Sequence, residues 1–444
     1  MLQLHDKTRC RVCIAGFFIL GVLPAFFVGG WCLARHLPGG KQAEADRLGR
    51  QLGMTVKLDG WEHLRPGVVL YKGLELADPE TDQTILRCRL LEVNRWWSDE
   101  QGQPTLTLIA SQPELPSAAI GKAWCWLQRL LENQLGRLDS DLQFSATELT
   151  LRADNHSQTL TDVAAALENL PGGTHAQIRF RLIGAKTPEP ARIRIVRNRQ
   201  VSPPTSGFEL YTGGGELPCS VLAMGLSELK PLGPQCRFRG YIWASETPDG
   251  WEGEVTGQLV ELDFGRLITG HFPHHLSGIG EATIQRARFR HGRLEEGSGI
   301  LAVGPGTIDR SLVAAAVDRL GLVADANLPS SSREKGLRVA YQELALSVTL
   351  DTRGLRLRGR CNVAEPGTIL SNGQNRLLGE PLQESQSVSA LVRTLVPQSA
   401  VQVPASRQTD WLLRHLPVPK VMPILGTEAV PPTARLRLPE TWQR

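Results

Sequence analysis

Leu344-Ala345-Leu346-Ser347-Val348-Thr349-Leu350 and, shortly after, Leu355-Arg356-Leu357-Arg358-Gly359-Arg360 alternate apolar with polar or small residues. A period of two is strand spacing, because successive side chains of a β-strand point to opposite sides of its sheet. The same pattern recurs upstream. Ile178, Phe180 and Leu182 alternate with Gln177, Arg179 and Arg181, and Ile193 and Ile195 with Arg192 and Arg194. Leu142 and Phe144, Leu149 and Leu151, and Val255-x-Gly257-x-Leu259 follow it too. Nearer the N-terminus Met54, Val56 and Leu58, then 68–71, 74–77, 85–93 and 105–110, read as a first set of strands, with a turn at Asp78-Pro79-Glu80-Thr81-Asp82.

Each such strand has one apolar and one polar face, and the apolar face must be covered by helices, another sheet or an apolar ligand. Helical spacing predicts six short helices, over 41–52, 118–138, 159–170, 311–323, 385–396 and 409–416. In the first, Ala43, Leu48 and Leu52 form the apolar face. These helices are too few to cover so many strands, which argues for a half-open groove; a closed sandwich or barrel is the alternative. The expected fold is therefore mainly β with short helices, an elongated, twisted antiparallel sheet forming a groove. Ser202–Gly207 and Asn327–Ser332 are the best loop candidates.

Val12–Ala34 contains no charged residue and is long enough to cross roughly 30 Å of hydrocarbon as a helix. Its exit, Gly29-Gly30-Trp31-Cys32-Leu33-Ala34-Arg35, is a poor cleavage site. Trp31 also stands where lipoprotein processing requires a small residue. The run is read as an uncleaved anchor. Lys7, Arg9 and Arg11 before it, against Arg35 and Lys41 after it, place the N-terminus in the cytoplasm and the bulk outside.

The 49 basic residues nearly balance 45 acidic ones, so no nucleic-acid or other polyanion partner is implied. The basic residues are mostly Arg, which suits phosphate and carboxylate, but alternation with apolar positions reads as a solvated sheet face. The eight cysteines do not form a framework. Cys10-x-x-Cys13 has redox spacing without a suitable context. Cys219 and Cys236 lie close in sequence on the external side, where an oxidising compartment permits a disulfide. His271-Phe272-Pro273-His274-His275 could share a metal ion, but no further ligand stands in register, and a surface loop is the expected reading. Gly213-Gly214-Gly215 and Gly278-Ile279-Gly280 complete no nucleotide motif and read as tight turns. With no Gly-x-Ser-x-Gly, no His-Glu-x-x-His and dispersed carboxylates, no catalytic residue, metal or cofactor is expected, and the chain is not expected to be an enzyme.

The run Leu52-Gly53-Met54-Thr55-Val56, with Pro66-Gly67-Val68-Val69-Leu70-Tyr71-Lys72-Gly73-Leu74-Glu75-Leu76-Ala77-Asp78-Pro79, resembles the N-terminal part of AsmA-like bacterial envelope proteins. Gly250-Trp251-Glu252-Gly253-Glu254-Val255-Thr256-Gly257-Gln258-Leu259, and Leu276-Ser277-Gly278-Ile279-Gly280-Glu281-Ala282 leading to Arg290-His291-Gly292-Arg293-Leu294, are similar to the later β-repeats of that group. The resemblance covers about residues 10–325. It implies an inner-membrane protein with its bulk in the periplasm, phospholipids as partners, other envelope proteins as possible partners, and a role in lipid movement and outer-membrane assembly.

On this reading 1–11 is a cytoplasmic N-terminus, 12–34 the anchor and 41–200 an AsmA-like β-rich region. A β-groove repeat region follows at 207–326, a C-terminal β/α region at 333–427, and a loosely ordered tail at 428–444. The candidate groove-lining residues are Ile178, Phe180, Leu182, Leu344, Leu346, Val348, Leu355 and Leu357. The competing function is a dry, non-catalytic scaffold that organises envelope partners.

Overall fold

Alternation does produce strands. The computed structural model describes residues 14–36, 38–97, 104–132, 141–152, 157–170, 172–183, 189–222, 227–270, 272–291, 293–325, 337–363 and 365–396. Within them, 21 strands form one twisted sheet and two more a separate small one. Its principal strands are β1 (Val68–Ala77), β2 (Thr84–Trp97), β3 (Pro104–Ser111), β4 (Asp141–Arg152), β5 (Ser157–Leu170), β6 (Gly173–Leu182) and β7 (Ala191–Asn198). They continue as β8 (Thr205–Tyr211), β9 (Arg237–Thr247), β10 (Gly250–Asp263), β11 (Ile279–Arg290), β12 (Arg293–Val303), β13 (Glu343–Asp351) and β14 (Gly354–Gly359). Each strand hydrogen-bonds to the next in this order. At about 4.8 Å per strand, the ladder from β1 to β14 measures roughly 60 Å. Short strands lengthen both ends, Thr55–Lys57 and Gly60–Arg65 on β1, and Thr368–Ser371 on β13, followed by Arg376–Pro381 and Leu322–Ala324.

The sheet is mixed, which corrects the expectation of a wholly antiparallel one. β3 and the short strand Glu114–Pro116 both run parallel to β4. Parallel neighbours need a long crossover, and the helix Ile120–Leu131 supplies it.

A second correction concerns 159–170, expected as a helix from its spacing. It belongs to β5. Leu160 and Val163, three apart, are both buried because the register slips between Thr161 and Ala164, where Asp162 has φ +51°. The bulge puts one extra residue between two same-face side chains and so imitates a helical interval.

The helices are α1 (Leu23–His36), α2 (Pro38–Leu52), α3 (Ile120–Leu131), α4 (Cys219–Leu222), α5 (Arg310–Leu320) and α6 (Val388–Leu395). α2 buries Ala45, Leu48 and Leu52, whereas Ala43, read as part of its apolar face, is exposed. α5 stops at Gly321, whose φ of +66° gives the left-handed C-terminal cap. The Ser387 side chain caps α6 by accepting from the Ala390 N–H at 3.2 Å.

Ahead of α1, residues 18–22 form a π-helical turn, and Phe17, Leu20, Phe26 and Phe27 are exposed. No helix among the described residues is long and apolar enough to cross a membrane. The expected helix at 409–416, the loop at 327–332, His271, Cys10, Cys13 and the tail from 428 lie outside the described residues.

Two large apolar cores follow one another along the sheet, beside a small third cluster of Phe272, Val392 and Val396. The first joins α2 and α3 to β1–β8, and the second joins α4, α5 and α6 to β9–β14. Leu222 and Ile242 pack against both.

Candidate functional site: the apolar sheet face

Cross-strand register brings to one line side chains that lie far apart in sequence. Directly paired residues point to the same side of a sheet. Starting from β1, the partners run Val69, Val93, Leu108, Phe144, Ala165, Ile178, Ile193 and Leu210. They continue through Ile242, Val255, Ala287, Gly297, Leu350 and Leu355. Every position, one per strand, is apolar or glycine. Ile178 on β6 and Leu355 on β14 therefore belong to one row. Phe180 and Leu182 follow Ile178 at intervals of two, and Leu344, Leu346 and Val348 precede Leu350 at the same interval. Leu357, two beyond Leu355, continues the face on β14. All eight candidate residues lie on this face.

They differ in exposure. Phe180, Leu182 and Leu355 are 4, 5 and 1 % exposed, whereas Ile178, Leu344, Leu346, Val348 and Leu357 are half-buried and pack against the two cores. The row itself changes along the sheet. Through β7 its half-buried members are flanked by buried ones, among them Leu142, Leu167, Ala176 and Ile195. From β9 to β12 the row members Ile242, Val255, Ala287 and Gly297 are half-buried, and so are neighbours such as Ile284, Phe289, Leu294 and Leu301. At β13 and β14 the face closes again, with Leu350 5 % and Leu355 1 % exposed. The partly open stretch is four strands wide, roughly 15–20 Å.

Sequence reasoning named none of the β9–β12 residues as groove-lining, and the reason is glycine. Gly240 pairs with Gly257, and the Phe238 ring lies over both: a Cβ on either would stand 3.0 Å from it. Gly253, Gly297 and Gly299 share this face. Glycines lower the floor of the sheet and dilute the apolar alternation that would mark it in sequence. The legible signal was Val255-x-Gly257-x-Leu259.

The opposite face is polar. Arg179, Arg192, Arg194, Arg356 and Arg358 are exposed there. Across β10–β12, Arg286 pairs with Glu254 at 3.2 Å, and Arg290 with Glu252 at 3.4 Å and Glu295 at 3.0 Å. A cavity of about 370 Å³ on this side is lined by Glu168, His175, Gln177, Arg179, Arg192 and Arg194 among others. On the apolar side the row is half-buried across β9–β12.

The histidine segment is not a simple surface loop. Phe272 and His274 are buried. The His274 imidazole lies 3.1 Å from the Ser311 hydroxyl through Nδ1 and 3.0 Å from the Thr394 carbonyl through Nε2. The carbonyl can only accept, so Nε2 carries the proton and Nδ1 accepts from Ser311. Burial holds the His274 pKa below its ordinary value. No group of three His, Cys, Asp or Glu among the described residues is placed to hold a metal ion.

Cys219 and Cys236 are both buried thiols, with Sγ atoms 2.9 Å apart. Their shared hydrogen bond and burial push the Cys219 thiol far up. No protein-family model matches the chain, and no curated protein matches it.

Proposed function

We propose that the apolar face carries the acyl chains of phospholipids, in a protein tethered to a bacterial inner membrane by its N-terminal segment. The bulk would stand in the periplasm, as in AsmA-like envelope proteins, and support outer-membrane homeostasis. The observation that carries this reading is the unbroken apolar row from Val69 to Leu355, half-buried where it crosses β9–β12. Each CH₂ removed from water there contributes about 0.8 kcal/mol, so even part of an acyl chain gains several kcal/mol without covalent chemistry. The polar reverse face stays in water.

The test compares purified wild-type protein with Leu346→Asp, on the apolar face beside β12, and Ser347→Asp, its neighbour on the polar face. Native mass spectrometry and lipid extraction should find phospholipid on the wild type and on Ser347→Asp. Leu346→Asp should lose it while keeping most of its thermal transition. Absence of lipid from the wild type, with Leu346→Asp unfolding outright, favours the second reading, a dry scaffold for envelope proteins. That reading draws on the closure of the face by protein at Phe180, Leu350 and Leu355.

A further inference from the structure

The segment between the short strand Leu217–Pro218 and β9 leaves the sheet and returns to it at two cysteines. Cys219 opens α4, and Cys236 immediately precedes β9. The Cys219 N–H donates to the Cys236 carbonyl at 2.8 Å, so the two backbones are already paired. The side chains are 1 and 0 % exposed, and their sulfurs face each other at 2.9 Å. In between, Leu222 packs against both apolar cores and Leu232 against the second. Leu222 and Leu232 thus tie the described parts of the segment to the cores.

We propose that Cys219 and Cys236 form a disulfide that pins the root of this segment. Of the other thiols whose side chains are described, Cys88 and Cys361 make no contact with another thiol, and Cys125 is exposed. Formation needs a thiol–disulfide oxidant, either a small-molecule disulfide or a disulfide oxidoreductase. One thiolate attacks the oxidant's disulfide and expels one of its sulfurs as a thiolate. The second cysteine, losing its proton, then displaces the other oxidant sulfur from the mixed disulfide. Two thiols become one S–S bond, and the oxidant's disulfide becomes two thiols. Disulfide geometry requires Cα atoms roughly 4.4–6.8 Å apart, a separation that the directly hydrogen-bonded backbones favour. The inference does not depend on the lipid reading.

The full chain, purified in detergent, is equilibrated in glutathione buffers from fully reduced to fully oxidised. Each sample is then acid-quenched, denatured and alkylated before peptide mapping. The expected result is a linked peptide joining Cys219 to Cys236 that grows with the oxidised fraction, while Cys88, Cys125 and Cys361 are alkylated. Cys219→Ala should abolish it and leave Cys236 either free or bonded to glutathione. Alkylation of both Cys219 and Cys236 at every ratio, or glutathione on both in place of a bridge, overturns the proposal. Should Cys219→Ala not fold, the wild-type linkage map decides alone.

Discussion

Asp78 shows how a single buried charge is made tolerable. It is 6 % exposed, accepts from the Thr81 hydroxyl and pairs with Lys122 of α3 at 2.6 Å. Burial alone would raise its pKa, but the bonds from Lys122 and Thr81 outweigh it and hold the carboxyl below its ordinary value. A carboxylate depressed in the folded state stabilises above its unfolded pKa, near 3.9, and that contribution disappears as pH falls through the folded value. Lys122→Met should destabilise the protein by about 1–2 kcal/mol near neutral pH, discounted for the partly exposed lysine. Thermal unfolding followed from pH 6 to pH 2 should show a flatter acid limb in the variant; parallel curves would refute the role given to Lys122.

Gly257 is the other residue on which much turns. A Cβ there would meet the Arg239 carbonyl at 2.4 Å, and φ is +150°. Gly257→Val should therefore cost about 1–3 kcal/mol through overpacking and backbone strain. Gly304→Ala, where the nearest atom to a new Cβ is 3.4 Å away, should cost much less. Urea titration of the two variants makes the comparison, and equal midpoints would remove the close-approach argument.

Among the elements, α6 is attached by a contact that depends on pH. His274 links it to α5 through Thr394 and Ser311, and Asp309, just ahead of α5, is the charged group acting on the ring. Because burial lowers the folded pKa of His274, the unfolded state takes up protons first. The stabilisation is complete above the unfolded value near 6.5 and is lost as pH falls below it. Protonation also removes the acceptor that Ser311 needs. Amide exchange in 388–395 should accelerate between pH 6.5 and 5, after correction for intrinsic rates, and His274→Gln should remove that dependence. Exchange that stays constant in the wild type would refute it.

The elements were legible in sequence where each rule acted alone. Leu344–Leu350 and Ile178–Leu182 showed their period directly, and α2, α5 and α6 were found within a few residues of their ends; α3 was expected to run to 138 but ends at Leu131, with 133–138 outside the described residues. β5 was misread because the bulge at Asp162 spaces Leu160 and Val163 like a helix. The parallel placement of β3 beside β4 was hidden because no local pattern records which edge a crossover helix leads to.

At the scale of the whole molecule, the face that joins Ile178 to Leu355 depends on the order and register of every strand between them. A period of two tells which side chains share a face within a strand, not which strands are neighbours. The eight candidate residues were thus recoverable singly, but their common row was not. The glycine-rich, half-buried part of the face across β9–β12 was less visible still, because its apolar side chains are fewest there.

Nearly all the principal strands pair in the order in which the chain makes them. Such a ribbon has no closure condition of the kind that fixes strand number in a barrel. A hairpin gained or lost by duplication or deletion would change its length by about 10 Å and leave the pairing elsewhere intact. The β11–β12 hairpin illustrates it: Leu259 of β10 and Leu346 of β13 occupy the same row on either side of it. Reach is thereby an evolvable quantity, adjustable in hairpin-sized steps while the chemistry of the face stays as it is.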